Sequence, residues 1–224
     1  MLSSPQHKSS EVKTVGDVAT TVAGALKVLR DHGINWSSMR EVPVGEAASM
    51  CGVDAETLQR ELAALRVKPA GLPENSTELV DYIISRYHEV HRRELVELLG
   101  LARRVETVHG GHPKAPIGLA EILERVQADL ESHMIKEERI LFPSICSGFR
   151  GSLFGPIVVM RHEHDDHAKL IFAIYLVTSG LNLPADACNS WKTLYAGLEK
   201  LTTDLIEHIN IENDVLFPRF MAAR

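Results

Sequence analysis

The chain has 224 residues, 45% of them hydrophobic, and a formal net charge of −6. This is enough apolar chain for one good-sized globular domain and a smaller one. The negative charge and the lack of a basic stripe argue against a nucleic acid or an anionic membrane as a partner. The N-terminus, MLSSPQHKSSEVK, lacks the apolar core of a signal peptide, and the longest apolar stretch, about 170–177, is too short to span a bilayer.

The cysteines are few and isolated. Cys51, Cys146 and Cys188 form no C-x-x-C motif. Such spacing is poor material for a disulfide framework or a zinc ribbon. The sequence therefore predicts a reduced, cytoplasmic protein with no membrane partner, and it does not indicate an oligomeric state.

The N-terminal third is predicted to be helical but interrupted. Residues 1–13 are expected to be a frayed tail. Thr14 and Asp54 have the side chains of helix N-caps, and Pro43 is expected to begin a short alanine-rich helix. The segment 67–76 holds two prolines, a glycine and an asparagine, which is typical of a linker. We therefore predict a small N-terminal helical domain over 1–70 and a second domain over 77–224.

The second domain contains four long helical patterns, at about 77–106, 117–141, 156–178 and 185–217. Pro143 and Pro218 are expected to stop the second and fourth helices, because proline lacks the N–H that continues a helix. Strand patterning is nearly absent. Two helical hairpins side by side predict an all-α protein with an antiparallel four-helix bundle.

One string occurs twice in this domain. HMIKEERILFP begins at His133, and HINIENDVLFP begins 75 residues later at His208. Upstream of each copy lies a histidine pair, in YHEVH and then in EHDDH. The chain therefore contains a duplicated helical hairpin. The repeated Leu-Phe-Pro ending is interpreted as core packing and helix termination.

The repeat carries side chains that suit metal ions. His133 and Glu137 are four residues apart on one helix face, and so are His208 and Glu212. Imidazoles and carboxylates aimed into a bundle core are costly unless they are paired or coordinated. One histidine from each upstream helix would complete a set of four imidazoles and two carboxylates. Such a set suits two iron or manganese ions, with both carboxylates bridging between them.

The upstream ligand has two candidates in each copy. His88 and His164 occupy equivalent positions in the repeat and are favoured as ligands. His91 and His167 are then expected beside the site or on the surface. No side chain is predicted to be a dedicated catalytic group. Glu163 could act as a proton relay, although an exposed helical glutamate is the favoured interpretation.

Other interpretations of the histidines are weaker. A plain bundle with surface histidines would not repeat both residue type and spacing. A catalytic zinc site usually needs three ligands, and the sequence has no H-E-x-x-H motif. His109 and His112 are predicted to lie in a solvated loop rather than in a loop metal site, and His162 is predicted to lie on the surface.

The strings IISRYHEVHRREL, SHMIKEERILFP, MRHEHDDH and HINIENDVLFPR resemble the iron–sulfur cluster repair di-iron family. Its members carry a hemerythrin-like bundle behind a small N-terminal helical domain, and the resemblance covers nearly the whole chain. It implies a non-haem di-iron centre with oxo and carboxylate bridges, and a role in nitric oxide and oxidative stress. The ligands that the resemblance implies are His88, His133, His164 and His208, with Glu137 and Glu212 as the bridging carboxylates.

The chain departs from this family at one place. Ser37 and Ser38, in INWSSMREVP, stand where family members have adjacent cysteines. A serine hydroxyl stays protonated at neutral pH and is a poor substitute for a thiolate ligand. In this respect the chain is similar to the cysteine-less NorA-type proteins of denitrifying bacteria. The segment itself is predicted to be a helix–helix turn with Trp36 packed underneath.

These observations predict a cytoplasmic di-iron protein that binds nitric oxide and lowers its free concentration. Two adjacent irons could also reduce nitric oxide weakly, and the sequence does not decide whether the protein is an enzyme. Two alternatives stay open. One is donation of iron for the repair of damaged iron–sulfur clusters, and the other is an O2-binding or redox-sensing module.

Overall fold

The computed structural model describes residues 13–66, 71–148 and 151–221, and within these ranges it contains helices but no β-strand. The predicted all-α class is confirmed. Outside the described residues lie 1–12 of the predicted N-terminal tail, 67–70 at the start of the predicted linker, and residues 149–150 and 222–224.

Five short helices form the N-terminal part. They are α1 (Val15–Thr21), α2 (Ala25–Asp31), α3 (Trp36–Met39), α4 (Val44–Met50) and α5 (Ala55–Ala64). The predicted caps are confirmed. Thr14 caps α1 in a reciprocal capping box with Asp17, and Oδ2 of Asp54 accepts a hydrogen bond from the Thr57 N–H at 2.8 Å at the start of α5. These bonds satisfy N–H groups that have no partner inside the helix.

Four helical arms follow. The first consists of α6 (Ser76–Ile83) and α7 (Glu89–His109), the second of α8 (Leu119–Lys136) and α9 (Phe142–Cys146), the third of α10 (Phe154–Val177), and the fourth of α11 (Asn189–Ile211) and α12 (Pro218–Met221). α7 packs against both α8 and α11, and α8 packs against α10. The arms therefore form the predicted bundle of two helical hairpins.

Three of the arms contain a π-helical turn. The turns are Ile84–His88, Glu137–Leu141 and Glu212–Leu216. The prediction that Pro143 and Pro218 stop the helices is wrong, because helical backbone resumes after the second and third turns. Each proline falls in the first turn of the segment that follows, where its missing N–H costs no hydrogen bond.

The N-terminal helices share one hydrophobic core with the bundle. Trp36 is buried and packs edge-on against Phe172 and Tyr175 of α10, with ring centroids 5.3 and 5.8 Å apart. The predicted packing of Trp36 is confirmed, although it begins the one-turn helix α3 rather than a turn. Whether residues 1–70 form a separate domain stays a prediction.

A second, smaller core lies at the other end of the bundle. It contains the Leu-Phe pairs of both repeats, Leu141–Phe142 and Leu216–Phe217, all buried, together with Tyr87. The predicted packing role of the repeated string is therefore confirmed. None of the helices in the described ranges combines the length and the apolar character that a membrane span requires.

Candidate metal centre

All six predicted ligands lie together inside the bundle, and none is more than 2% exposed. His133 and His208 lie in the last turns of α8 and α11, and His164 lies midway along α10. The remaining three are at π turns: His88 ends the first, and Glu137 and Glu212 begin the second and third. π turns are rare and occur frequently at functional sites.

The six residues form two overlapping groups of four. The His88 quartet consists of His88, His208 and the two glutamates, and the His133 quartet consists of His133, His164 and the same two glutamates. In each quartet the nitrogen and oxygen atoms that could bind a metal lie within 4.8 Å of one another. Each quartet takes one histidine from each half of the duplicated sequence.

The distances inside each quartet fit metal coordination. The Nε2 atoms of His88 and His208 are 3.1 Å apart, and those of His133 and His164 are 3.2 Å apart. Two ligand atoms about 2.1 Å from one metal ion, at right angles to each other, lie about 3 Å apart. Each imidazole pair therefore has the separation of neighbouring ligands on one ion.

The two glutamates lie between the imidazole pairs. Oε2 of Glu137 is 3.4 Å from Nε2 of His88 and also 3.4 Å from Nε2 of His133. Glu212 presents one oxygen to His208 and the other to His164, each at 3.1 Å. Both carboxylates are therefore placed to bridge two ions.

The centre contains buried polar atoms without partners. Both oxygens of Glu137 and Oε2 of Glu212 accept no hydrogen bond from the described part of the chain. A buried carboxylate without partners is strongly destabilising. A positive ion between the quartets would remove this cost, so the residues present fit a metal centre.

Burial also sets the protonation of these groups. It lowers the pKa of His88 and of His133 to about 3, and the imidazole beside each ring adds to the effect. Burial raises the pKa of Glu137 well above its usual value, and the facing Glu212 carboxylate raises it further. His88 and His133 are therefore neutral near pH 7, which is the form that binds a metal ion.

Hydrogen bonds at Nδ1 orient three of the four ligand imidazoles. His88 donates to Glu138 at 2.8 Å, and His133 donates to Glu163 at 2.8 Å. These bonds place the proton on Nδ1 and leave the Nε2 lone pair facing the centre. Glu163 is therefore not the exposed helical glutamate that the sequence favoured. Its side chain is 23% exposed because it packs against His133 and pairs with Lys136.

The other two ligand imidazoles have neutral neighbours. His164 donates from Nδ1 to the Asn213 side chain at 3.1 Å. Nδ1 of His208 has no hydrogen-bond partner in the described chain, and the ring stacks on Tyr87 with centroids 5.2 Å apart. Glu138 and Asn213 were not predicted from the sequence. A signal was present, because each directly follows one of the two predicted bridging glutamates.

His91 and His167 are buried beside the quartets, so the surface position considered for them is wrong. They are 0% and 3% exposed. Their rings lie 5.6 Å from the His208 ring and 4.8 Å from the His133 ring, respectively. Neither belongs to a quartet. Burial lowers the pKa of each to about 3, so both are neutral near pH 7.

Three other histidines of the described chain belong to neither quartet. His162 is exposed, as predicted. His112 lies in the predicted loop, but neither it nor His109 is solvated, because both are half-buried against Trp191, with ring centroids 5.4 and 5.0 Å from it. His109 is the last residue of α7 rather than a loop residue.

Two kinds of comparison agree with this geometry. The hemerythrin HHE cation-binding domain family matches residues 79–220, a range that contains all six predicted ligands. The chain is 38% identical over 211 residues to the iron–sulfur cluster repair protein YtfE of Citrobacter koseri, covering 93% of this chain and 96% of that protein. It is also 39% identical over 213 residues to YtfE of Musicola paradisiaca, covering 92% and 95%.

A curated YtfE from Escherichia coli gives the same result, with 38% identity over 93% of this chain and 96% of the relative. The nearer similarity to NorA-type proteins stays a prediction. The match to a cation-binding domain, the buried His and Glu quartets and the nearly full-length relatives lead to one assignment. The chain belongs to the hemerythrin-like iron–sulfur cluster repair family.

Proposed function

We propose that the chain binds two iron ions and donates iron for the repair of damaged iron–sulfur clusters. The observation that carries the first part is the pair of quartets that share two buried carboxylates. Imidazole and carboxylate ligands suit iron, and four ligands per ion leave coordination positions open. The names of the relatives support the second part. Repair therefore replaces nitric oxide binding as the leading function.

The protein residues in this proposal have separate roles. The four imidazoles and the two carboxylates would hold the ions, and the bound iron would supply ligand exchange and electron transfer. Glu138 and Glu163 hold the rings of His88 and His133 at a fixed angle and make them more basic ligands. Arg92 and Lys136 bind these two carboxylates from the solvent side. Iron is the cargo, so the site must also release it.

The metal assignment is tested by composition. Purified protein should contain close to two iron ions per chain, measured by elemental analysis after anaerobic preparation. His162→Ala is the matched control for His133→Ala, because His162 is exposed. His162→Ala should keep both ions, whereas His133→Ala should lose the ion of the His133 quartet. One zinc ion and no iron in the wild-type protein would contradict the assignment.

The repair function is tested by transfer of iron. A hydratase with a damaged [4Fe–4S] cluster is mixed anaerobically with the iron-loaded protein, and its activity is followed with time. We expect recovery with the wild-type protein and none with Glu212→Ala. An equal concentration of free ferrous iron is the control. If free iron restores activity equally well, donation by this chain is refuted while the metal assignment stands.

Nitric oxide binding is a second candidate. Ser37 and Ser38 stand where the family has cysteines, and both hydroxyls are used locally, since they donate to Oδ1 and to the backbone carbonyl of Asn35. The ligands are also almost fully buried, which favours a diatomic ligand over a larger one. Anaerobic titration of the reduced protein with nitric oxide, followed by electron paramagnetic resonance and N2O measurement, tests this function. No spectral change would exclude it.

A further inference from the structure

A cysteine–histidine pair lies at the end of the bundle away from the metal ligands. His109 is the last residue of α7, and Cys188 is the N-cap of α11. Nε2 of His109 is 3.1 Å from Sγ of Cys188. Along α11, Cys188 precedes His208 by 20 residues, which corresponds to about 30 Å at 1.5 Å per residue. The pair is therefore separate from the proposed iron centre.

The pair borders a surface pocket of about 350 Å³. The pocket is lined by Arg104, Val105, Val108, His109, Cys188, Asn189 and Ser190. Cys188 is half-buried, so its sulfur is reachable from this pocket. Arg104 is exposed and forms no ion pair with the described residues, so its charge is available to an anionic ligand.

We propose that Cys188 is a thiol–disulfide exchange site for a small disulfide that carries carboxylates. The thiol proton passes to Nε2 of His109, and the sulfur attacks one sulfur of the disulfide. A new S–S bond forms to Cys188 as the original S–S bond breaks. The departing thiolate takes the proton from His109. Cys188 is thereby oxidised to a mixed disulfide, and half of the incoming disulfide is reduced to a thiol.

The surrounding helices favour this proton transfer. Cys188 lies at the N-terminus of the 23-residue α11, where the helix dipole stabilises negative charge on sulfur. His109 lies at the C-terminus of the 21-residue α7, where the dipole stabilises a positive imidazolium. The imidazole also packs against Trp191, which holds it beside the sulfur. Charge separation between the two side chains is thus supported from both helices.

The other two cysteines lie at helix ends of the opposite polarity. Cys51 is the C-cap of α4, and its thiol donates to the Gly33 carbonyl at 3.6 Å. Cys146 is the last residue of α9 and is exposed. Neither forms a hydrogen bond with a histidine in the described chain. Exposure alone would make Cys146 the most reactive thiol, whereas the pairing and the helix polarity favour Cys188.

The test compares single-cysteine forms of the full-length, iron-loaded protein. Cys51→Ser/Cys146→Ser leaves Cys188, and Cys51→Ser/Cys188→Ser leaves Cys146. Each form reacts with dithiobis(nitrobenzoate), an aromatic disulfide with two carboxylates, and the released thiolate is followed by absorbance at neutral pH. We expect the Cys188 form to react about tenfold faster than the Cys146 form. An equal or slower rate would overturn the proposal.

Three further variants in the Cys188-only background separate the contribution of His109 from that of Arg104. His109→Asn should slow the reaction about tenfold, whereas His112→Asn should not, because His112 packs on the same tryptophan without contacting the sulfur. Arg104→Gln should slow the reaction with dithiobis(nitrobenzoate) but not with the uncharged dithiodipyridine. Equal rates for the two histidine variants would exclude the role of His109. If Arg104→Gln slows the reactions with both disulfides equally, or neither, the preference for carboxylates is excluded.

Discussion

The two halves of the duplicated bundle supply the same ligands but surround them differently. In the first half, His88 donates to the carboxylate of Glu138, whereas its counterpart His164 donates to the amide of Asn213. The other pair differs in the same direction, because His133 donates to the carboxylate of Glu163 while its counterpart His208 faces Tyr87.

The two halves differ in the number of imidazoles that are bonded to a carboxylate, but the two quartets do not. The His88 quartet contains one imidazole bonded to a carboxylate, Glu138, and the His133 quartet contains one bonded to Glu163. The charge around the centre is therefore distributed per proposed metal ion rather than per repeat. The duplicated backbone sets where the predicted ligands point. Each half supplies one of the carboxylates that support them, Glu138 in the first half and Glu163 in the second.

Removing a shared carboxylate should have the largest effect. Glu137 and Glu212 belong to both quartets, so Glu137→Ala or Glu212→Ala should abolish binding of both ions. His88→Ala damages one quartet and should leave about one ion per chain, because the other quartet keeps its own imidazoles. Elemental analysis after dialysis measures both outcomes. A Glu212→Ala protein that retained one ion would show that the carboxylates do not bridge.

Changing the supporting groups should have an intermediate effect. Glu138→Gln removes the carboxylate that accepts from Nδ1 of His88 and should weaken binding of one ion by about 10- to 100-fold. Asn213→Asp places a carboxylate at Nδ1 of His164, in addition to Glu163 at His133, and should strengthen ion binding in the His133 quartet. Competition with a coloured chelator measures both affinities. An Asn213→Asp protein that bound iron more weakly would show that a carboxylate bonded to a ligand imidazole does not strengthen its quartet.

An ion pair offers a comparison of stability at equivalent positions. Asp204 is buried and accepts two hydrogen bonds from Arg86, at 2.9 and 3.0 Å. Its counterpart 75 residues earlier, Asp129, is exposed and lies 3.7 Å from Arg125. Asp204→Asn should reduce the free energy of unfolding by about 1–3 kcal/mol. Asp129→Asn should change it by less than about 0.5 kcal/mol. Urea unfolding measures both changes.

The contribution of Asp204 to the free energy of unfolding should depend on pH. Burial raises its pKa, but the hydrogen bonds from Arg86 and Lys200 outweigh burial, so the pKa in the folded protein lies below its usual value. The unfolded state then binds the proton more readily. The stabilisation is therefore present above about pH 4 and is lost as the pH falls through the folded-state pKa. The difference between the wild type and Asp204→Asn should shrink on acidification below about pH 4. A constant difference would exclude the ion pair as its cause.

A small effect is expected at Tyr87. Its hydroxyl is buried and has no hydrogen-bond partner in the described chain, while its ring stacks on His208. Tyr87→Phe keeps the ring and removes the unpaired hydroxyl. Iron content should be unchanged, and the free energy of unfolding should stay within about 1 kcal/mol of the wild-type value or rise slightly. A loss of iron would mean that the hydroxyl takes part in the centre.

The sequence contained most of the fold and the six candidate ligands, because duplication repeated both their types and their spacing. It could not separate surface from interior for His91 and His167, since residues three apart can share a helix face or diverge at a π turn. The same turns explain why helices continue beyond Pro143 and Pro218. The support from Glu138 and Asn213 depends on contacts between arms, which sequence spacing alone does not define.

The π turns let one helical arm present different faces before and after the turn. Each π turn contains about one more residue per rotation than an α-helix does, and one residue corresponds to about 100° of rotation. Side chains after the turn are thereby shifted in angular phase from those before it. Glu137 can face the proposed iron centre while Leu141 and Phe142 fill the apolar core, although they share one unbroken arm. Deleting a single residue within Glu137–Leu141 would force these two faces back into one phase.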